Sequence, residues 1–361
     1  MIKLKKFISI FLVFLLFGCS TTKEKQLFED YTISSGFDTI ISYKMYANSE
    51  NEFKKAIIKA NELFSYYNEL FDKYNDYEIN NIKTINDNAG IQPIEVDQEI
   101  INLLLLSKQY SELSNNQFDV TLGSVLKIWH DVREKALNNE SYELPSKDEL
   151  NQAKVCSGWD KVVIDDEKNT VYLTESCASL DVGAVAKGYA TQKVSEMLIN
   201  DGFTNGFINA GGNLEFLGPK INKDAWRTGI LAPSLNNSSQ SLVVIPLPEQ
   251  VSFVTSGDYQ RYFIHNDEIM HHIIDPDTLY PAKHAKSITI LTKDSGIADI
   301  LSTTLYTMTY QEGLQLIEKL KLNGLEVDAV WIYDNLNEIK NESYTIKENF
   351  YLLSSNIELI K

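Results

Sequence analysis

Residues 181–188 read Asp-Val-Gly-Ala-Val-Ala-Lys-Gly and stand directly before a run at 189–199 whose apolar spacing is typical of a helix. Glycine lets a backbone come close to a bound group, and the N-terminus of a helix attracts negative charge. Lys187 adds a positive charge at the same point. The octet therefore predicts a loop that meets an anionic ligand, with helix packing alone as the alternative use of its small residues.

The chain on both sides of the octet predicts clusters of strands with helices between them. Helical spacing of apolar residues is found in four segments, which are 50–74, 97–113, 186–200 and 297–309. A β-hairpin is predicted from 161–165 and 170–174, which flank four polar residues. Further short apolar runs predict strands at 33–46, 204–208, 214–217, 226–231, 242–246, 251–254, 287–291, 327–333 and 350–353. Strands in clusters, without strict strand–helix alternation, indicate the α+β fold class.

The first eighteen residues are predicted to be an export signal and not part of the fold. Three lysines precede the apolar run 7–17, which is too short for a membrane span and suits a signal-peptide core. Cys19 is the predicted lipidation site of a bacterial lipobox and would anchor the protein outside the cytoplasm, with an uncleaved anchor or a plain secretory signal as the alternative. The polar segment 20–30 predicts a tether. The resulting organisation is a signal peptide at 1–18, a lipidated tether at 19–30 and one domain at 31–361.

The chain is strongly acidic. Its formal net charge is −17, and removal of the three lysines within 1–18 leaves −20 on the exported form. A surface of this charge repels nucleic acid and anionic lipid, so no nucleic-acid partner is expected. A site for a phosphorylated ligand must therefore supply its own positive potential, through a metal ion or helix N-termini.

Two cysteines, Cys156 and Cys177, follow the predicted lipidation site. In a hairpin centred between residues 167 and 168 they lie almost opposite each other, provided that the first strand continues through Gly158. Cross-strand neighbours are close enough for a disulfide, and an exported protein meets an oxidising environment. The sequence leaves a bridge and two free thiols as alternatives. It does not favour zinc, because neither cysteine has a Cys or His neighbour at ligand spacing.

The predicted helix at 297–309 carries two oxygen-bearing side chains on one face. Asp299 and Thr303 are four residues apart and therefore leave the helix on the same side. A carboxylate and a hydroxyl are hard ligands suited to Mg²⁺, which also takes phosphate oxygens. The alternative is a solvated aspartate and a threonine that bonds its own helix backbone.

Five segments occur in a set order along the chain, at 118–121, 181–188, 208–214, 255–259 with 272–276, and 298–305. In that order they resemble the ApbE family of FAD:protein FMN transferases, over nearly the whole chain after residue 30. The resemblance implies a single large α+β catalytic domain behind the lipoprotein signal peptide. It also implies that Asp299, Thr303 and the backbone carbonyl of Ala184 bind Mg²⁺, while Ser302 stands at a position sometimes credited with a further ligand.

The resemblance also implies a site for FAD as a substrate. Its contact residues would be Phe37, Tyr74, Phe118, Asp119, Val120, Thr121, Asp181, Lys187, Gly211, Gly212, Ser256, Gly257, Arg261, His272 and Ile273. His272, in the run His-Ile-Ile-Asp-Pro, is the implied general base. His271 stands at a variable position and is predicted to be structural.

The implied reaction joins FMN to another protein. A Thr or Ser hydroxyl of an exported redox protein attacks the FMN-side phosphorus of FAD, Mg²⁺ offsets the charge on the phosphoryl oxygens, and AMP leaves. Two alternatives remain at this point. One is a Mg²⁺-dependent FAD pyrophosphatase that uses water in place of the hydroxyl, and the other is a flavin-binding lipoprotein without turnover.

Overall fold

The computed structural model describes residues 24–235, 240–259, 261–337, 339 and 342–357. The predicted signal peptide, the lipidation site Cys19 and the start of the predicted tether lie outside the described residues. Within these ranges, no helix is both long enough and apolar enough to cross a membrane.

Strands and helices alternate irregularly along the described chain. The strands in chain order are β1 (Gln26–Thr32), β2 (Ile41–Ala47), β3 (Ile94–Glu95), β4 (Val162–Asp165), β5 (Thr170–Leu173), β6 (Gly206–Ala210), β7 (Asn213–Gly218), β8 (Trp226–Leu231), β9 (Ser241–Leu247), β10 (Val251–Gly257), β11 (Tyr262–His265), β12 (Glu268–His271), β13 (Ser287–Thr292), β14 (Val327–Tyr333), β15 (Thr345–Lys347) and β16 (Phe350–Ser354). The α-helices are α1 (Glu50–Phe71), α2 (Ile82–Asp87), α3 (Gln98–Leu113), α4 (Gly123–Leu137), α5 (Lys147–Lys154), α6 (Ala186–Asn200), α7 (Ser295–Tyr306) and α8 (Tyr310–Leu322).

A nine-stranded sheet organises the molecule. Its spatial order is β1-β2-β6-β7-β10-β13-β14-β16-β15, and every neighbouring pair is antiparallel. Three smaller antiparallel sheets accompany it, with the orders β3-β5-β4, β8-β9 and β11-β12. Several neighbouring strands of the large sheet, such as β2 and β6, are far apart in the chain, so the sheet brings distant segments together.

Both faces of the large sheet are covered, as the side chains of β14 show. Val327, Ala329 and Trp331 point into the main core, which includes residues of α1, α6, α7 and α8. Val330 and Ile332 point the other way and join a second core with the β8–β9 hairpin. Successive side chains of a strand face opposite sides of its sheet, so a strand buried on both faces reads as a continuous apolar run.

A third apolar cluster lies beside the sheet and supports α4. It joins α4 and α5 to the β11–β12 hairpin through Trp129, Leu150, Phe263 and Met270. The indole Nε1 of Trp129 donates a hydrogen bond of 2.8 Å to the carbonyl of Leu279. This cluster fixes the position of one helix that had no clear sequence signal.

The α+β class is confirmed, and the differences from the predicted elements have local causes. The first predicted helix ends at Phe71 and not at residue 74, because the Asp72 carboxylate accepts the backbone N–H groups of Tyr74 and Asn75 and opens a turn. The predicted strand at 33–46 is present only from Ile41. Helices α2, α4, α5 and α8 and the β11–β12 hairpin were not predicted.

The predicted boundary between tether and domain needs a correction. Residues 26–30 were assigned to the tether, but they form most of β1, whose Gln26 stands opposite Ala47 of β2. The segment is polar and its burial is low along the whole strand. It is a strand because of its pairing with β2, which the local sequence does not reveal.

The disulfide between Cys156 and Cys177 is present, with a Cα–Cα distance of 5.4 Å. The predicted hairpin register is also correct, since Val162 stands opposite Leu173. The reason given for the bridge was wrong, however. The strand does not continue to Cys156, because the chain turns at Gly158, where φ is +122°, and Cys156 follows α5 instead.

We expect the bridge to stabilise the fold. The double substitution Cys156→Ser with Cys177→Ser opens a loop closed across 21 residues of sequence. On the chain-entropy account this lowers the free energy of unfolding by about 3 kcal/mol, measured by chemical denaturation. Reduced wild-type protein should match the double variant. Two free thiols in non-reduced protein, seen by intact mass after alkylation, would contradict the bridge.

A buried glutamate makes the stability of the sheet depend on pH. Glu215 of β7 is 0% exposed, and its carboxyl accepts a hydrogen bond from the Ser252 hydroxyl. Burial raises the pKa of Glu215 from 4.5 to about 8, although the Ser252 contact opposes the shift. The folded protein therefore keeps this carboxyl protonated where the unfolded chain ionises it. The contribution of Glu215 to the stability of the fold is greatest below about pH 4.5 and is lost as the pH rises towards about 8.

Glu215→Gln should remove this dependence. The free energy of unfolding of the variant minus that of wild type is the quantity to compare. This difference should increase by on the order of 3 kcal/mol from about pH 5 to about pH 8.5, because only wild type loses stability over that range. Chemical denaturation at both pH values measures it. The exposed Glu318→Gln on α8 is the control and should give a constant difference. An equally constant difference for Glu215→Gln would refute the assignment.

Candidate active site

One cavity of about 720 Å³ collects nearly all the residues implied as a site. The octet, the end of β10, α7, the loop before β2 and the segment after α1 all contribute to its wall. The predicted residues that line it are Phe37, Tyr74, Phe118, Asp119, Val120, Asp181, Ala184, Lys187, Gly211, Ser256, Gly257, Arg261, His272, Ile273, Asp299 and Thr303. Thr121 and Gly212 were also predicted but do not line it.

The octet ends where α6 packs tightly against α7. A Cβ on Gly188 would lie 2.3 Å from the carbonyl oxygen of Ser295 and 2.5 Å from the Cβ of Asp299. Only glycine therefore allows this approach. The backbone N–H of Gly188 donates a hydrogen bond of 2.8 Å to Oδ2 of Asp299. The first turn of α6 thus holds the carboxylate of α7 at the cavity wall.

Asp299 is a buried carboxylate whose charge is only partly compensated. Its side chain is 7% exposed, and burial raises its pKa, opposed by Lys187 and then by the Gly188 N–H. Lys187 donates to the carbonyl of Gly211 at 3.2 Å. Burial lowers the pKa of Lys187, Asp299 raises it and Arg261 lowers it again. Among the described residues Asp299 forms no direct ion pair, which suits a carboxylate that binds a cation.

Three oxygen donors at this wall fit Mg²⁺. Asp299 and Thr303 are one turn apart on α7, and Ala184 of the octet lines the same cavity. The Thr303 hydroxyl has no hydrogen-bond partner in the ranges described, whereas that of its neighbour Thr304 donates to the Ile300 carbonyl at 2.7 Å. A carboxylate, a hydroxyl and a carbonyl are the hard ligands that Mg²⁺ prefers.

Other side chains add no carboxylate to this donor set. The Ser302 hydroxyl is fully buried, donates to the Asp299 carbonyl at 3.0 Å and lies 2.7 Å from the Ser256 hydroxyl. In the described part of the chain, no group of three or more His, Cys, Asp or Glu side chains could hold a metal ion. A cation here would therefore depend on neutral oxygens and on the phosphates of a ligand.

Thr121 and Gly212 support the cavity wall from behind. The Thr121 hydroxyl donates to Asp119 at 2.7 Å and accepts the N–H of Gly158 at 2.7 Å, which turns it away from the cavity. The N–H of Gly212 donates to Oδ1 of Asn209 at 3.0 Å. Both residues shape turns whose neighbours Val120 and Gly211 line the cavity, and their contact with FAD stays a prediction.

The cavity is also lined by aromatic and apolar groups. Phe37 adopts a left-handed backbone, with φ of 58°, and its N–H donates to Oδ1 of Asn68 at 2.7 Å. Its ring meets the ring of Phe64 edge to face, with centroids 6.4 Å apart. Phe118 and Val120 are buried in the same wall. This side of the cavity suits a planar ring system.

Asp181 opens the octet and is fixed by a lysine that was not predicted. Its Oδ2 accepts from Lys73 at 2.5 Å, and its Oδ1 accepts the N–H of Gly183 at 3.0 Å. Burial alone would raise the pKa of Asp181, but Lys73 and the Gly183 N–H hold it below its usual value. The sequence signal for Lys73 was its position beside Tyr74.

The two adjacent histidines have different environments. His271 is buried at the end of β12, donates from Nε2 to the Ala282 carbonyl at 2.8 Å and accepts the Ile273 N–H at Nδ1 at 3.2 Å. Burial lowers its pKa, so the ring is neutral and both nitrogens are engaged. His272 is exposed and lines the cavity. The structure thus gives His271 a structural place, as predicted.

Two polar side chains of α4 at this cavity were also missed. His130 and Arg133 of α4 line the cavity beside Trp129. The chain contains only three arginines, and two of them, Arg133 and Arg261, lie at this cavity. The rarity of arginine in this strongly acidic chain is the sequence signal that could have pointed to Arg133.

Hard oxygen donors, a small cluster of cations and an aromatic wall define a binding site for an anionic ligand that carries a planar ring. The sequence profile of the ApbE family matches residues 37–327, so the chain belongs to the ApbE family. Its fold resembles that of the ApbE protein from Thermotoga maritima, with a TM-score of 0.72 and 27% identity, over 85% of this chain and 94% of that one.

Relatives of known function are similar over most of their length. The FAD:protein FMN transferase of Klebsiella pneumoniae is 26% identical over 280 residues, which is 77% of this chain and 82% of the relative. That of Haemophilus influenzae is 29% identical over 258 residues, 70% of this chain and 72% of the relative.

Proposed function

We propose that this protein is a Mg²⁺-dependent FAD:protein FMN transferase that moves FMN from FAD to a Thr or Ser hydroxyl of an exported redox protein. The observation that carries the proposal is the combination, in one cavity, of the oxygens of Asp299 and Thr303, the cation Lys187 and an aromatic wall. Membership of a family whose relatives bear this name supports the same activity.

The residues divide the work between binding and proton transfer. Phe37 and Phe118 contact a ring of FAD. Lys187 and Arg261, which both interact electrostatically with Asp299, offset the negative charge of the diphosphate. Mg²⁺, when bound by Asp299, Thr303 and the Ala184 carbonyl, supplies Lewis-acid stabilisation of the phosphoryl oxygens. Positioning and electrostatics dominate such reactions.

His272 takes the proton of the attacking hydroxyl. It lines the cavity and is exposed, so a hydroxyl on a partner protein can reach it. The hydroxyl oxygen forms a bond to the FMN-side phosphorus as the bond from that phosphorus to the AMP phosphate breaks. The products are a phosphoester-linked flavin on the acceptor, free AMP and a protonated His272.

We further propose that the protein is exported and held on a bacterial membrane by lipid on Cys19. The lysine-rich start and apolar run of residues 1–18 support this location. The disulfide between Cys156 and Cys177 also supports it, because such bonds persist in oxidising compartments.

Incubation with FAD, Mg²⁺ and a candidate acceptor tests the function. We expect in-gel flavin fluorescence on the acceptor band together with an equal amount of AMP. FMN and AMP free in solution, with no fluorescent band, would instead mean an FAD pyrophosphatase. FAD bound without any AMP release would mean a flavin-binding protein without turnover.

Loss of the carboxylate should stop the reaction without unfolding the protein. Asp299→Asn should lower AMP release at least ~100-fold at limiting Mg²⁺, because it removes the charged member of the proposed donor set. Thr303→Val should lower it less, by about 10-fold. Thr304→Val is the matched control, since this buried threonine on the same helix does not line the cavity. Normal turnover by Asp299→Asn would refute the metal assignment.

Substitution of His272 should affect the reaction rate, whereas substitution of His271 should affect stability. His272→Ala should lower the rate by on the order of 10²–10⁴ and leave thermal stability unchanged. His271→Ala should stay within a few-fold in rate but lose about 1–3 kcal/mol of stability, because two buried backbone groups lose their partner. Rate assays and thermal denaturation of both variants decide the matter. The reverse ranking in rate would make His271 the base.

A further inference from the structure

A rigid turn presents Tyr74 at the mouth of the cavity. The Asp72 carboxylate accepts the N–H groups of Tyr74 and Asn75 at 2.6 and 3.1 Å, and also the side chains of Asn75 and Tyr77 at 2.8 and 3.0 Å. Tyr74 is nevertheless 54% exposed. The backbone is therefore fixed, while the ring has much of its surface free to meet a ligand.

The ring of Tyr74 is held by a histidine of α4. Its centroid lies 5.1 Å from that of the His130 ring, at an interplanar angle of 34°, and its hydroxyl lies 3.3 Å from Nδ1 of His130. The Arg133 guanidinium donates to the same Nδ1 at 3.1 Å. Because a guanidinium can only donate, Nδ1 carries no proton and the His130 ring has a defined orientation.

Burial and two neighbouring cations favour the neutral form of His130. Burial lowers its pKa first, and Arg133 and Lys73 lower it further, while Glu134 and Asp131 oppose them. Arg133 is itself 19% exposed at its side chain and pairs with Glu134 at 3.1 Å. A neutral imidazole that accepts from Arg133 is therefore the stable arrangement.

The other side of Tyr74 is linked to the octet. Nζ of Lys73 lies 4.9 Å from the Tyr74 ring centroid and binds Asp181. A continuous series of contacts thus runs from Asp181 through Lys73, Tyr74 and His130 to Arg133. It joins the octet, the turn after α1 and α4 across the cavity mouth.

We propose that His130, oriented by Arg133, is a positioning residue that fixes Tyr74 in contact with an aromatic ring of FAD. This inference rests on the proposed function in so far as FAD is the ligand. Two ring systems of FAD share the required chemistry, the isoalloxazine and the adenine, and binding of FMN and of AMP separates them. Aromatic pairs of this kind contribute enough to change affinity several-fold.

The chain supplies a matched control for this pair. Nδ1 of His265 lies 3.3 Å from the Tyr142 hydroxyl, and the two ring centroids are 5.6 Å apart. Neither residue lines the cavity. His265→Ala therefore removes a tyrosine–histidine contact with the same hydroxyl–Nδ1 distance, but outside the cavity.

A double-mutant cycle in the full-length protein tests the proposal, with FAD dissociation constants read from flavin fluorescence. His130→Ala should raise the Kd and KM for FAD about 3- to 10-fold and leave kcat within about 2-fold. Tyr74→Ala should have at least this effect. His130→Ala should then add almost nothing in the Tyr74→Ala background, because its action passes through Tyr74. His265→Ala should change none of these values.

Further variants and probes keep the outcome decisive. His130→Phe retains the ring but not Nδ1 and should recover part of the affinity, even if His130→Ala is poorly folded. Weaker binding of FMN alone assigns the isoalloxazine, and weaker binding of AMP alone assigns the adenine. Additive effects of His130→Ala and Tyr74→Ala, or unchanged Kd values, would overturn the inference. Affinities that follow the expected order without any flavin transfer would instead reject only the proposed function.

Discussion

The close packing of α6 on α7 is the constraint on which the site depends. Gly188 permits the approach, since any Cβ there would overlap the Ser295 carbonyl, and its N–H holds the Asp299 carboxylate. Burial makes that carboxylate costly to ionise, and Lys187 only partly offsets the cost. The two helices therefore place a carboxylate whose charge is only partly compensated at the wall of a cavity, where it can bind a cation.

Part of the basic charge of this acidic molecule is concentrated at one cavity. The chain carries a net charge of −17, yet Lys187, Arg261, Lys73 and Arg133 all line one cavity. An anionic substrate would be repelled by a surface of this net charge, and these cations offset the repulsion at the cavity. Lys73 pairs with Asp181 and fixes the octet, and Arg133 pairs with Glu134.

Sequence reasoning located the groups on single elements better than the contacts between elements. The spacing of Asp299 and Thr303 predicted their common face of α7, and the resemblance to the ApbE family separated His272 from His271, whose ring is buried. The hydroxyl of Thr121 bonds the Gly158 N–H, 37 residues away in the chain. Nothing local to either residue indicates that bond.

The sequence by itself determined the α+β class and the common face of Asp299 and Thr303 on α7, because these depend on the periodicity of strands and helices. It supplied the ordered site segments only through their resemblance to the ApbE family. Tertiary structure alone decided that polar residues 26–30 form β1, that a disulfide joins Cys156 to Cys177 without a strand, and that His130 of α4 meets Tyr74. Each of these rests on contact between segments distant in the chain, and such contacts are fixed by the packing of whole elements and not by local preference.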